Sequence, residues 1–230
     1  MGALRAIIFD LDNTLWDVGP VILRAEHAMY DFLAERYPRV TERHDLDAMR
    51  DVRVRVAREH PAQRHDFTWL RMRALEWHAE EAGYDASLAR EAFEVFFRAR
   101  NEVVLYEDAR PALERLRAGY RLFAISNGNA DLARIGLGGY FERTLAAREA
   151  GMLKPDPRIF HLLLEQAGVA PAEAVHVGDD PAADVEGARA AGIEAVWLNR
   201  DGGPWPLESP APALAITSLA HLPGVLRSGA

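Results

Sequence analysis

Four short apolar runs do most to restrict what this chain can fold into. They are Arg5 to Leu11, "YRLFAIS" (Tyr120 to Ser126), "AVHVGD" (Ala174 to Asp179) and "EAVWLN" (Glu194 to Asn199). Their apolar residues are consecutive rather than alternating and often β-branched, as in strands buried on both faces of a parallel sheet. Helical patterns lie between them: "EDARPALERLRAG", with Pro111 suited to a first turn and Gly119 to a stop, then "PRIFHLLLEQAG" and "PAADVEGARAAG". Strand followed by helix, repeated, predicts an α/β fold with a doubly wound, Rossmann-like parallel sheet. "DGGPWPLESPAP" reads as an irregular loop before a last short strand, "LAITS".

The stretch from about Asp17 to Leu105 breaks this rhythm. Helical periods over about 20–37, 46–59, 66–82 and 87–104 follow one another with weak turns and no strand between. The expected organisation is an α/β core of residues 1–16 and 106–230 with a helical bundle, 17–105, inserted after the first strand.

Composition narrows the function. A net charge of −8 argues against general affinity for nucleic acid or an anionic membrane, so any phosphate would have to be bound locally. With no cysteine, disulfides, thiolate metal sites and cysteine nucleophiles are excluded. The opening "MGALRAIIFDLD" has too short an apolar run for a signal peptide, and no segment approaches membrane-spanning length. A cytoplasmic monomer or homodimer is expected.

In open α/β sheets, ligands bind outside the carboxyl ends of the strands. Those positions hold Asp10 and Asp12 ("FDLDNTLWD"), Ser126, Asn127 and Gly128 ("ISNGN"), and Asp179, Asp180 and Asp184 ("VGDDPAAD"). Lys154, in "LKPDP", is the only lysine among 27 basic residues. So many carboxylates can share a site only if cations offset their repulsion, and an all-oxygen donor set points to a hard cation such as Mg²⁺. The hydroxyl of Ser126 and the amides of the turn that follows could grip phosphate oxygens.

Taken in order, "DLDNTL", "SNG", "KPDP" and "GDDPAAD" resemble the four motifs of the haloacid dehalogenase superfamily of hydrolases, in particular its phosphatase branch with an inserted helical cap. The resemblance spans essentially the whole chain. It implies a Mg²⁺-dependent phosphatase acting on a small phosphorylated metabolite. Asp10 would be the nucleophile that becomes an aspartyl phosphate, and Asp12 the acid that protonates the leaving oxygen and then the base that activates water. Asp10, the main-chain carbonyl of Asp12 and Asp179 would hold the metal, with Asp184 or Asp180 in the remaining role and Asp184 favoured. Ser126 and Asn127 would bind the phosphoryl group, and Lys154 would bridge Asp10 and a phosphate oxygen. Thr14 would support the loop, and Asn13 suits a left-handed position.

Two further expectations follow. Asp10, facing both cations, should be acidified, and Asp12, facing carboxylates, should be made a weaker acid. Because a guanidinium would fork onto both oxygens of Asp10, Lys154→Arg should lose activity with the fold intact.

Other readings remain. A phosphomutase would share every catalytic motif. A metal-free dehalogenase also attacks through aspartate but lacks the carboxylate two residues later, and a receiver-like phospho-acceptor carries its aspartate on a middle strand of a domain about half this size. In the inserted segment, Trp69, Met72 and Trp77 at helical spacing read as core; His27, His44, His60, His65, His78, Arg71 and Arg73 are candidates for substrate contact.

Overall fold

The four runs all become strands of one sheet in the computed structural model, which describes residues 4–228. These strands are β1 (Ala6–Phe9), β2 (Arg121–Ser126), β4 (Ala174–Gly178) and β5 (Glu194–Leu198), joined by β3 (Arg143–Ala146) and β6 (Leu214–Ile216). The order is β3-β2-β1-β4-β5-β6, and every pairing is parallel. β1 and β4 are buried at every residue, as their continuous apolar sequence requires.

The sequence reading lacks β3. "RTLA" is an edge strand with one buried residue in four, so it carries no continuous apolar signal. Its pairing to β2 decides it, and that is a tertiary effect.

The chain builds outward from β1 through β2 to β3, then returns to place β4 on the other side of β1. The order therefore reverses between β1 and β4, which makes their carboxyl ends the natural ligand crevice. Register aligns Phe9 with Ala124 on one side and Val177 on the other, so Asp10, Ser126 and Asp179 emerge at neighbouring strand ends.

The chain divides into two compact units. The α/β unit comprises residues up to Asp17, Val104–Gly128 and residues from Gly136 on; the helical unit comprises Val18–Val103 with Asn129–Ile135. Assignment of 129–135 to the helical unit differs from the sequence reading. Within that unit the Asp131 amide donates to Asn101 Oδ1 at 2.7 Å, and Asn129 Nδ2 donates to Thr68 Oγ1 at 3.1 Å.

The helical unit contains α1 (Val18–Arg36), α2 (Pro38–Thr41), α3 (Leu46–Glu59), α4 (Phe67–Ala82) and α5 (Ser87–Arg100), followed by the short α7 (Leu132–Ile135). α6 (Ala109–Leu116), α8 (Ala147–Ala150), α9 (Pro157–Ala167), α10 (Gly187–Ala190) and α11 (Leu222–Ser228) belong to the α/β unit. Local chemistry sets the boundaries. Asp45 and Asp66 accept the amides of Ala48 and Trp69 at the starts of α3 and α4, and Gly83, at φ 67°, ends α4 in left-handed geometry that costs a glycine little.

One buried carboxylate organises the helical unit. Glu26 on α1 accepts from Arg50 Nε at 2.7 Å, Arg53 Nη1 at 2.8 Å and Arg71 Nη2 at 3.4 Å. Arg71, a candidate substrate contact in the sequence, also lies over the Phe96 ring, 3.6 Å from its centroid. Burial opposes ionisation of Glu26, but hydrogen bonds from Arg53 and Arg50 outweigh it and hold the carboxyl below the usual range. Glu26→Gln should therefore lower unfolding stability at neutral pH by about 3 kcal/mol, because it leaves Arg71 buried without its counter-charge. A carboxylate acidified in the fold loses its contribution as pH falls, so urea midpoints of wild type and variant should converge below about pH 4. Equal midpoints at pH 7 would show that the cluster adds nothing.

Candidate active site

β1 delivers Asp10 to the switch point, and the turn after it is closed by main-chain hydrogen bonds from Thr14 and Leu15 to Leu11 O at 3.2 and 2.8 Å. Asn13 takes φ 60° there, the left-handed conformation expected of it, which asparagine tolerates better than most residues. Beyond the turn, the indole of fully buried Trp16 donates to Asp12 Oδ1 at 2.8 Å and fixes that carboxylate.

Lys154 lies between α8 and α9. Its amide donates to Asn127 Oδ1 at 2.8 Å, and Asn127 Nδ2 donates to Lys154 O at 3.0 Å. The Asn127 side chain is thus a clamp on the lysine main chain. The carboxamide oxygen is thereby committed, and the second Nδ2 hydrogen and the main-chain amide of Asn127 are its donors for the expected phosphoryl group.

The buried ammonium of Lys154 donates to Asp10 Oδ1 at 2.6 Å, Asp184 Oδ1 at 2.6 Å and Ile125 O at 3.1 Å. An ammonium has three hydrogens, and all three are used. The ammonium thus bridges Asp10 and Asp184, the first of which is the partner expected from sequence. A phosphate oxygen could reach the ammonium only by displacing one of these acceptors.

Asp184 is more completely engaged than its neighbours. Its Oδ1 also meets His176 Nε2 at 2.9 Å, and its Oδ2 accepts the Asp180 amide at 3.0 Å. Asp180, by contrast, caps the π-helical turn Pro181–Glu186 by accepting the amides of Ala182 and Ala183, both at 2.8 Å. Of this pair, Asp184 is the one gathered with Asp10 and Asp179: one carboxylate oxygen from each lies within 4.8 Å of the others. Asp179 Oδ1 accepts from Thr14 Oγ1 at 3.3 Å, and its carbonyl accepts from Trp197 Nε1 at 2.9 Å. Gly178 permits this crowding, since a Cβ there would sit 2.2 Å from the Asp184 carboxyl. Ser126, buried at the end of β2, accepts the Gly128 amide on its Oγ at 2.9 Å and shapes the turn after the strand.

Electrostatics follow from this packing. Burial raises Asp10 well above the ordinary carboxylate range; Lys154 opposes the rise, and Asp184 and Asp179 add to it. That is the balance with Lys154 as the one cation present; the acidified Asp10 expected from sequence belongs to a site that also holds a metal ion. Burial also disfavours the charge on Asp184, but Lys154 and the His176 hydrogen bond prevail and hold it far below its usual value. Asp179 is pushed up to about 6, chiefly by burial, then by Asp184. Lys154 stays protonated because Asp10 and Asp184 outweigh its burial. His176 is lowered by burial, with Asp184 opposing, which leaves a neutral ring as donor.

Three carboxylates and one ammonium leave two negative charges uncompensated when all are ionised. A divalent cation on Asp10 and Asp179 would cancel them, so charge and oxygen-only donors both suit Mg²⁺.

His176 is the site residue absent from the sequence reading. Its signal is a lone polar residue in the otherwise apolar "AVHVG", but the ring is fully buried against Phe160, with centroids 5.0 Å apart, and its partner lies eight residues away. Arg158 is an exposed ion-pair partner of Asp156.

A parallel sheet with an aspartate-lysine-aspartate bridge at its switch point is the setting in which the family comparisons place a hydrolase. The chain belongs to the haloacid dehalogenase-like hydrolase family, which it matches over residues 4–192. It is 35% identical over 207 residues to a 5-amino-6-(5-phospho-D-ribitylamino)uracil phosphatase of Escherichia coli, covering 88% of this chain and 87% of that one. It is 30% identical to N-acylneuraminate-9-phosphatase of Rattus norvegicus, covering 99% and 96%. A crystal structure described as a 2-haloacid dehalogenase from Pseudomonas syringae superposes with a TM-score of 0.94 at 40% identity, covering 99% of this chain and 100% of that one.

Replacing Lys154 tests the bridge. The buried ammonium has three acceptors at 2.6, 2.6 and 3.1 Å, which a larger planar guanidinium cannot meet from one centre, so Lys154→Arg should lose stability as well as activity, whereas the sequence suggests a fold-neutral change. Lys154→Met would bury Asp10 and Asp184 without a counter-charge and should cost on the order of 3–5 kcal/mol at pH 7. Both carboxyls would then titrate above their unfolded values, so the deficit should shrink as pH falls toward 4. Thermal melts between pH 4 and 8 measure this, and a deficit independent of pH would contradict it.

Proposed function

We propose that this hydrolase is a Mg²⁺-dependent phosphatase that cleaves a small phosphomonoester through an aspartyl phosphate on Asp10. The observation that carries the reading is Asp12, a second carboxylate two residues beyond Asp10 with one oxygen held by Trp16. Attack on phosphorus needs a proton donor for the leaving oxygen and then a base for water, and Asp12 is suited to both tasks.

Lys154 orients Asp10 by holding Oδ1, which leaves Oδ2 to attack. The Ser126 hydroxyl and the amides after it serve as donors to the transferred group. Asp12 gives its proton to the departing oxygen and takes one back from the water that attacks phosphorus, restoring Asp10. Mg²⁺, held by Asp10, Asp179 and the carbonyl of Asp12, would supply neutralisation of charge on the phosphoryl oxygens. Asp184, whose oxygens already serve Lys154, His176 and Asp180, acts mainly by positioning that lysine.

Leaving-group recognition is assigned to the helical unit, as the cap of the family. That unit contains a cavity of about 300 Å³ lined by Arg53, Arg71 and Asn129 among apolar walls that include Phe67 and Phe96. With Arg53 and Arg71 already paired to Glu26, the mainly apolar walls favour a leaving group with an apolar part. The relatives named as phosphatases support the reading.

Metal-free dehalogenation at Asp10 is the second reading, favoured by the 40% identical 2-haloacid dehalogenase structure. Purified protein should release p-nitrophenol from p-nitrophenyl phosphate with Mg²⁺ and not with EDTA, and Asp10→Asn should lose this activity. Chloride release from 2-chloropropionate in EDTA, with no phosphatase turnover, would establish the second reading instead.

A further inference from the structure

Outside the carboxylate site, a second group of potential metal ligands lies within the helical unit: His44, His78 and Glu81. One ligand atom from each lies within 4.8 Å of the others. We propose that these residues form a transition-metal site, of the kind that takes Zn²⁺, tying the loop between α2 and α3 to the last turn of α4.

The main observation is His78. It is 1% exposed, and neither ring nitrogen has a hydrogen-bond partner among the described residues. Buried polar atoms in proteins are nearly always paired, and a doubly orphaned imidazole calls for a ligand. Burial, reinforced by the nearby His44, keeps this ring neutral, with a lone pair available.

The surroundings supply the rest of a coordination shell. His78 and Glu81 are three residues apart on α4 and share one face. His44 reaches the same place from the loop, where its amide is anchored on Val40 O at 3.0 Å. Its ring centroid is 4.8 Å from that of His78, and its Nε2 contacts Glu81 Oε2. Arg43 approaches the other carboxylate oxygen, Oε1, at 3.9 Å, leaving Oε2 on the histidine side.

An ordinary His44–Glu81 ion pair accounts for two of the three residues and leaves His78 unexplained. A metal ion accounts for all three. Two imidazoles and a carboxylate form a borderline donor set that suits Zn²⁺, Co²⁺ or Ni²⁺ rather than Mg²⁺, with water in the fourth position. Tetrahedral ligation at Zn–N and Zn–O distances of about 2.0–2.2 Å places ligand atoms about 3.4 Å apart. The direct His44–Glu81 contact would open to admit the ion while wider pairs, at most 4.8 Å apart, draw in; both are within reach of side-chain rotation, because His44 and Glu81 side chains are 17% and 38% exposed. That exposure also gives the ion and its water a way in.

The test uses full-length protein stripped with EDTA and then held in excess Mg²⁺, which occupies the all-oxygen site. Added Co²⁺ should bind at one equivalent, with the visible absorption of a histidine-ligated, low-coordinate ion, and Zn²⁺ should displace it and raise the melting temperature. Both effects should be lost in His44→Gln and Glu81→Gln, changes at partly exposed positions, and kept in Asp10→Asn. Metal-free melts would verify that the variants fold. No Co²⁺ or Zn²⁺ binding in excess Mg²⁺, or binding undiminished in His44→Gln, would overturn the proposal; so would binding lost only in Asp10→Asn, since the ion would then belong to the carboxylate site.

Discussion

One nitrogen atom holds the site together. The Lys154 ammonium joins the end of β1 through Asp10, the end of β2 through Ile125 O, and the π-helical turn after β4 through Asp184. Three parts of the chain far apart in sequence meet on three hydrogens. A tetrahedral ammonium can address three such acceptors from a single centre, whereas a planar guanidinium spreads its donors along an edge. This is why the position keeps a lysine in a chain whose every other basic residue of this kind is arginine. The solitude of Lys154 was the visible clue; the identity of its partners needed three-dimensional packing.

The bridge also sets the charge state of everything near it. Sharing one ammonium among Asp10, Asp184 and the nearby Asp179 leaves an excess of negative charge in a buried place, so Asp10 and Asp179 resist ionisation while Asp184 does not. That imbalance is a physical reason for the protein to take up a divalent cation. His176 completes the arrangement by donating to the same oxygen of Asp184, which strengthens that residue as the partner of Lys154.

How much of this was legible in the sequence depends on range. Strands buried on both faces announce themselves, so β1, β2, β4 and β5 and the four long helices of the inserted segment fall close to where periodicity puts them. β3 does not, because an edge strand lacks the apolar signal. Asp10, Asp12, Asp179 and Asp184 were visible as carboxylates after strands, and their placement follows from the sheet. Two things were not visible: Asn127 as a clamp and Asp184 as the lysine's second partner. Each depends on which groups share a side chain's hydrogen bonds in space, and spacing along the chain does not encode that.

The central claim is that Asp10 accepts the phosphoryl group. p-Nitrophenolate leaves without help from an acid, so in Asp12→Asn the first step should proceed while the water-dependent second step stalls. Mixing that variant with p-nitrophenyl phosphate and Mg²⁺, quenching in acid and weighing the peptide that contains Asp10 should reveal the mass of one added phosphoryl group. Release of p-nitrophenol by the wild type, with the Asp10 peptide unmodified in both proteins at every quench time, would contradict it.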